Sequence, residues 1–164
     1  MRQRVTRHLR HNVGKAAVLL AVIAGAFAGL GLYTFSYGEG FSYFSTDPKA
    51  CVNCHIMRDE YDSWQKSTHH TAATCVECHL PHEFVPKYLA KADHGYRHSK
   101  AFTFGGFHEP IQITPRDRVI VQENCVRCHA DLVHALTAGS TTDADAVQCI
   151  NCHRGVGHSA RYGH

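Results

Sequence analysis

The chain has no cysteine to spare. All eight of its cysteines fall in four short frames of one kind, so none remains for a structural disulfide or a lone nucleophilic thiol. Methionine is scarce: of the two present, Met1 opens the chain and only Met57 lies within it. No Asp or Glu precedes Glu39, and Ala16 to Gly38 carries no charge of either sign. No run alternates apolar and polar residues convincingly enough to predict a strand, and low-complexity sequence is absent. The basic excess is local. Arg2, Arg4, Arg7, Arg10 and Lys15 supply it, whereas residues 39–164 hold 12 Lys+Arg against 14 Asp+Glu, a net charge of −2. The pI of 8.4 therefore reflects a short tail. No basic stripe with interleaved aromatics lies outside that tail, which excludes nucleic acid as a partner.

The four frames organise everything else. They are Cys51-Val52-Asn53-Cys54-His55, Cys75-Val76-Glu77-Cys78-His79, Cys125-Val126-Arg127-Cys128-His129 and Cys149-Ile150-Asn151-Cys152-His153. Each reads C-x-x-C-H, the attachment signature of c-type haem. Two thiols add across the haem vinyl groups, and the adjacent histidine reaches the iron. Zinc sites built from paired C-x-x-C do not require a histidine directly after the second cysteine, least of all four times running. A disulfide framework fits worse, because a C-x-x-C pair beside a ligating histidine is not a loop staple. Four covalently bound haem c groups are expected.

The uncharged stretch Ala16–Gly38 is 23 residues long and rich in Ala, Leu, Val, Gly and Phe. As a helix it would span roughly 34 Å, enough for a hydrocarbon core of about 30 Å. The five cations before it predict a cytoplasmic N-terminus. Tyr33, Phe35, Tyr37, Phe41, Tyr43 and Phe44 would form an aromatic belt at the far interface. Ala24-Gly25-Ala26 and Ala26-Phe27-Ala28 resemble signal-cleavage sites, but the apolar run exceeds a signal-peptide core, so an uncleaved anchor is expected. This divides the chain into a cytoplasmic tail (1–15), a transmembrane helix (16–38) and a haem domain (39–164). The domain would lie outside the cytoplasm, where c-type haem is attached: a single-pass protein of the bacterial inner membrane facing the periplasm. Gly25-x-x-x-Gly29 permits close approach of a second helix and hence homo-oligomerisation through the membrane; it equally fits the ordinary glycine content of membrane helices.

Within the haem domain the pattern is helix and coil. Asp47 before Pro48 and Thr114 before Pro115 are N-cap and first-turn pairs, one ahead of the first motif and one ahead of the third. Residues 58–66 read as a helix with Tyr61 and Trp64 on one face, and 87–99 as a helix following Pro86. Residues 102–107 read as irregular. Cys51 to Cys75 and Cys125 to Cys149 are both steps of 24, separated by a step of 50, which suggests duplicated dihaem units with an insertion between them. So few residues surround four macrocycles that the haems themselves should form the core. The fold class is mainly α plus coil: one membrane helix, then a small haem-packed domain.

His79, His129 and His153 are the motif ligands of haems 2, 3 and 4. Second ligands must come from His69, His70, His82, His94, His98, His108, His134 or His158. His69 and His70 stand out on the approach to the second motif, and so does His158, which follows the glycines of His153-Arg154-Gly155-Val156-Gly157. For haem 1, motif geometry favours His55 as ligand, with Met57 two residues on as a packing neighbour.

The N-terminal anchor, the four motifs, Cys54-His55-Ile56-Met57 and the closing Cys152-His153-Arg154-Gly155-Val156-Gly157-His158 resemble the membrane-anchored tetrahaem quinol dehydrogenases, most closely the small subunits of cytochrome c nitrite reductase. The likeness covers nearly the whole chain. It implies that Met57, not His55, ligates haem 1 beside the quinol site. It implies that an acid and a lysine serve that site, here Asp93 with Lys91 or Lys87. It implies that a lysine of the catalytic partner completes haem 2, which leaves His70 for haem 4 and His158 for haem 3, with His69 a close rival to His70. The implied function is oxidation of menaquinol and delivery of electrons to a multihaem nitrite reductase catalytic subunit. The chain is short and lacks a separate substrate-pocket motif, so it should not reduce nitrite itself. Two alternatives stand beside this: a general quinol dehydrogenase feeding nitrate reductase or other periplasmic reductases, and a tethered electron wire with no quinol site.

Overall fold

The computed structural model describes residues 2–133 and 147–158, with side chains from His11 onward. Its contacts divide the chain into two units, Met1–Phe41 and Ser42–His164. All regular structure among the described residues is helical.

The first unit is one long helix, α1 (Arg2–Tyr37), whose His11–Tyr37 stretch is long and apolar enough to cross a membrane. The expected apolar span of 16–38 falls within it, less its last residue. The helix stops where its carbonyls find a turn: Gly38 N–H donates to Thr34 O at 2.9 Å and Glu39 N–H to Ser36 O at 3.1 Å, with Glu39 in the left-handed region at φ 56°. The chain then passes so close to the Phe35 ring that a Cβ at Gly40 would collide with it. Phe35 packs edge-on against Phe41, ring centroids 5.0 Å apart.

A 3-10 turn at Gly40–Phe44 straddles the boundary, and the second unit continues with 3-10 turns at Pro48–Asn53 and His55–Met57, followed by α2 (Arg58–Trp64) and α3 (Cys75–His79). Then come α4 (Phe84–Phe104), α5 (Pro115–Cys128), α6 (Ala130–Val133) and α7 (Cys149–Cys152). Both expected caps form: Asp47 Oδ1 accepts from Lys49 N–H at 2.8 Å, and Thr114 Oγ1 from Asp117 N–H at 3.2 Å. The two halves nonetheless differ. Pro48 opens a six-residue 3-10 turn, while Pro115 opens a fourteen-residue α-helix.

α4 is longer at both ends than the pattern at 87–99 predicts. Pro86 does not precede the helix but sits in its first turn, where backbone N–H groups have no helical acceptor and a missing donor costs nothing. At the far end Phe102–Phe104 stays helical, and Gly105 at φ 70° terminates it.

The interior is small. Among the described residues only Leu80, Ala90, Ile120 and Val121 are buried apolar residues, and buried Lys91, Gln122 and Asn124 accompany them. Two of these polar groups sit on α5 and face different segments. Asn124 Nδ2 donates to Cys78 O (3.0 Å) and Leu80 O (2.9 Å), tying down the end of α3. Gln122 Nε2 donates to Val147 O and its Oε1 accepts from Cys149 N–H, both at 2.9 Å, tying down the start of α7. Residues two apart on a helix point about 200° apart, so α5, which ends in the third motif, lies between the segments bearing the second and fourth.

Candidate haem-binding and quinol site

The local conformation of the motifs follows from their spacing. In the second, third and fourth, the two cysteines span one helical turn, which sets residues i and i+3 on one face. Where the helix ends at the motif histidine, its N–H returns to the first cysteine: His129 N to Cys125 O at 3.0 Å, and His153 N to Cys149 O at 2.9 Å. The Glu77 carboxylate accepts from Thr74 N–H and holds the start of α3.

The first motif is built differently. Its 3-10 turn ends at Asn53, Cys54 leaves it in an extended conformation (φ −87°, ψ 110°), and a new turn runs from His55 to Met57. Met57 N–H donates to Cys54 O at 2.9 Å. His55 is exposed on this turn and Met57 is half-buried.

Each motif lies beside its neighbours in sequence. Cys51 and Cys75 are hydrogen-bonded to each other as thiols. That bond brings Cys51 down to about 7, against the effect of burial, and the same contact together with burial raises Cys75. Burial, then the nearby Cys149, Cys78 and Cys128, push Cys125 up to about 11. Four pairs of unbridged cysteines in register with adjacent histidines, inside a domain whose described residues make almost no apolar core, fit covalently held macrocycles. The thiols have the pairwise i, i+3 placement that thioether attachment needs, and the missing interior is what the macrocycles would fill.

Several histidines converge on the motifs. The His79 and His158 rings lie 6.1 Å apart and nearly parallel at 9°; His69 and His129 are also 6.1 Å apart, at 64°. Burial, followed by the neighbouring His158 and His94 rings, lowers His79 to about 4, so its imidazole is neutral and offers a lone pair at physiological pH. His158 is oriented by a residue that sequence reasoning did not single out. A Glu60 carboxylate oxygen on α2 stands 2.7 Å from His158 Nδ1. A carboxylate only accepts, so Nδ1 carries the proton and Nε2 is left as the ligating nitrogen. The only prior hint of Glu60 was its acidity in the first turn of α2.

His70 lies against the Trp64 ring, centroids 4.9 Å apart. The remaining candidates have other partners: His82 Nε2 is 2.6 Å from an Arg127 guanidinium nitrogen, His94 Nε2 is 2.9 Å from Asp117 Oδ1, and His98 Nδ1 is 3.0 Å from Tyr43 Oη. His108 is exposed. His134 lies outside the described residues.

On α4, Lys91 and Asp93 occupy different faces. Lys91 is buried; its Nζ donates to Ser45 O at 2.7 Å and lies 5.8 Å from the Tyr88 ring centroid. Burial and the like charge of Lys87, one turn away, lower its pKa, and Cys51 is close enough to oppose that shift. Asp93 is held instead by two guanidinium groups, Arg97 at 3.0 Å and Arg116 at 3.1 Å. Of the three predicted quinol-site residues, the structure gathers Lys87 and Lys91 on one face of α4, with Lys91 near the first motif, and sets Asp93 apart beside α5.

Known proteins resemble the chain along most of its length. The model for the N-terminal region of the NapC/NirT cytochrome c family matches residues 12–123. The cytochrome c-type protein NrfH of Wolinella succinogenes is 40% identical over 157 residues, covering 90% of this chain and 89% of that protein. The cytochrome c nitrite reductase subunit NrfH of Nitratidesulfovibrio vulgaris is 30% identical over 145 residues, covering 87% and 85%. A crystal structure of the cytochrome c nitrite reductase NrfHA complex bound to the HQNO inhibitor contains a chain similar in fold, with a TM-score of 0.58 and 25% identity over 82% of this chain and 88% of that one.

Proposed function

The chain belongs to the NapC/NirT cytochrome c family, and from that premise we propose that it is the membrane-anchored subunit that oxidises menaquinol and passes electrons to a cytochrome c nitrite reductase catalytic subunit. What carries this reading is the 40% identity to an NrfH protein across 89% of that protein's length, joined to likeness in fold to a chain of an NrfHA complex. The positive tail before the membrane helix supports a periplasmic haem domain.

In this reading the eight motif cysteines hold four haems. Met57, His79, His129 and His153 are the motif-side ligands, and His70 and His158 are second ligands drawn from within the chain. The break after Cys54, which exposes His55 and turns Met57 inward, favours Met57 at the first site. His69 lies beside His129, the motif ligand of haem 3, which makes it a rival to His158 for that iron, while His158 itself lies against His79, the motif ligand of haem 2. Bound haem supplies one-electron redox chemistry, so the two electrons of a quinol can leave singly. The chain's residues manage binding and protons. Lys91, held against the Ser45 carbonyl near the first motif, and Lys87, one turn before it, present donors to a quinol oxygen. Burial weakens the hold of Lys91 on its own proton. Asp93, steadied by Arg97 and Arg116, is the proton acceptor on the way out.

The test is Asp93→Ala in the haem-loaded chain paired with its catalytic subunit. All four haems should remain attached, quinol-dependent nitrite reduction should fall at least tenfold, and reduction driven by an artificial donor should persist. Unchanged quinol-driven turnover removes Asp93 from the mechanism. No turnover with quinol by the parent protein leaves only an electron wire.

A further inference from the structure

α4 carries an apolar stripe that the described residues cover only at Tyr88 and Gly95. At 100° per residue, Phe84, Val85, Tyr88, Leu89, Tyr96 and Phe102 fall within an arc of about 140° over five turns. Five of the six are between 61 and 87% exposed; Tyr88, which leans on Phe44, is 38% exposed. Away from the stripe the same helix faces the protein: Ala90 is buried and His94 meets Asp117 of α5 on the opposite side, while buried Lys91 flanks the stripe at its Phe84 and Phe102 edge. The first motif lies toward Lys91, since Cys51 acts on that side chain, and Val85, Leu89 and Tyr96 point about 120 to 160° away from Lys91 around the helix. These three residues thus face away from the first motif.

We propose that this outer face of α4 is an interfacial membrane-binding surface that rests in the head-group region of an anionic bilayer. Two observations select lipid. First, α4 is fastened to the segment that follows the membrane helix. Phe44 packs on Tyr88 at 6.4 Å, Tyr43 bonds His98 at 3.0 Å, and the Tyr43 ring lies against Gly95, where an added Cβ would sit 3.6 Å from it. Phe44 is only seven residues beyond Tyr37, the end of α1, and a chain of that length reaches at most about 25 Å. The stripe is therefore tethered within reach of whatever bilayer α1 spans. Second, Lys100 borders the stripe, where its ammonium can reach lipid phosphates while its stem covers apolar surface, and the one acid of α4, Asp93, is held by Arg97 and Arg116 away from it.

The proposal rests on α1 being a membrane anchor, and its test separates the two. Cysteines introduced singly at Val85, Leu89 and Tyr96 of the full-length, haem-loaded chain are labelled with a nitroxide, and the protein is placed in nanodiscs containing phosphatidylglycerol. Phe27→Cys in α1 reports the anchor, exposed Lys66→Cys gives the aqueous reference, and the parent chain shows whether the native cysteines are blocked to label. Labels at 85, 89 and 96 should collide with oxygen several-fold more, relative to a water-soluble nickel chelate, than the label at 66. Nickel access at all three equal to that at 66, with position 27 shielded, overturns the surface and leaves the anchor. Nickel access at 27 overturns the anchor itself. Shielding of the three positions that develops only after the nitrite reductase catalytic subunit is added makes the face a protein interface and overturns the lipid assignment.

Discussion

Glu60 and Asp117 show how single carboxylates set the histidines around them. Glu60 fixes the proton of His158 on Nδ1, which leaves Nε2 as the nitrogen able to ligate and makes the ring more basic. Glu60→Gln keeps an acceptor but removes the charge, so the haems should stay attached while the potential of the haem that we propose His158 ligates rises, because a less basic imidazole stabilises ferric iron less. A redox titration identical to the parent would mean that His158 ligates no iron or that Glu60 does not tune it. At Asp117, burial pushes the carboxyl up, but hydrogen bonds from Thr114 and His94 outweigh it and its pKa lies below the ordinary 3.8. The folded state therefore binds this proton less readily than the unfolded chain. The resulting stability is present above pH 3.8 and is lost as pH falls through the lower folded value. Asp117→Asn should cost about 1 kcal/mol near neutral pH, with the difference from the parent closing below pH 3.8 in denaturant titrations.

At the scale of elements, α5 is the piece on which the others are registered. It carries the third motif at its end and, through Asn124 and Gln122, grips the second and fourth from different sides. Both amides are buried, and truncating either leaves peptide groups without partners. Asn124→Ala and Gln122→Ala should each destabilise the domain by about 2 kcal/mol and lower the yield of fully haem-loaded protein. Chemical denaturation and the mass of the mature chain check the two effects; a surface substitution such as Glu123→Ala should do neither. The periodicity of α5 was too short to announce this role, since a buried amide reads in sequence like any solvated one. The start of α4 was hidden for a related reason. Pro86 looks like a boundary, yet in a first turn it removes only a donor that had no acceptor.

Taken whole, the molecule is an apolar helix and a small domain whose described residues bury only four apolar side chains. A domain of that size cannot be held by so little protein core, and covalent haem c supplies both apolar area and extra crosslinks, four groups of it in the proposed reading. Removing residues 1–38 and directing the rest to the periplasm with a cleavable signal should give a water-soluble protein with all four haems. It should accept electrons from a soluble donor yet lose quinol-driven turnover in membranes. Retention of full quinol activity by that form would place the quinol chemistry away from the bilayer.

The amino-acid sequence by itself determined the haem chemistry, the membrane helix, the two proline-led caps and the family, because each is a local pattern: a fixed spacing of thiols and imidazole, a run without charge, an N-cap beside a proline. The tertiary structure decided what depends on residues far apart in the chain. Which histidine meets which motif, that Glu60 orients His158, that Gln122 and Asn124 clamp two motifs to a third, and that Lys91 and Asp93 turn to different partners are all contacts across some 20 to 100 residues. Spacing along a chain constrains a helical turn, but the direction in which a side chain finds a distant partner emerges only when the elements pack.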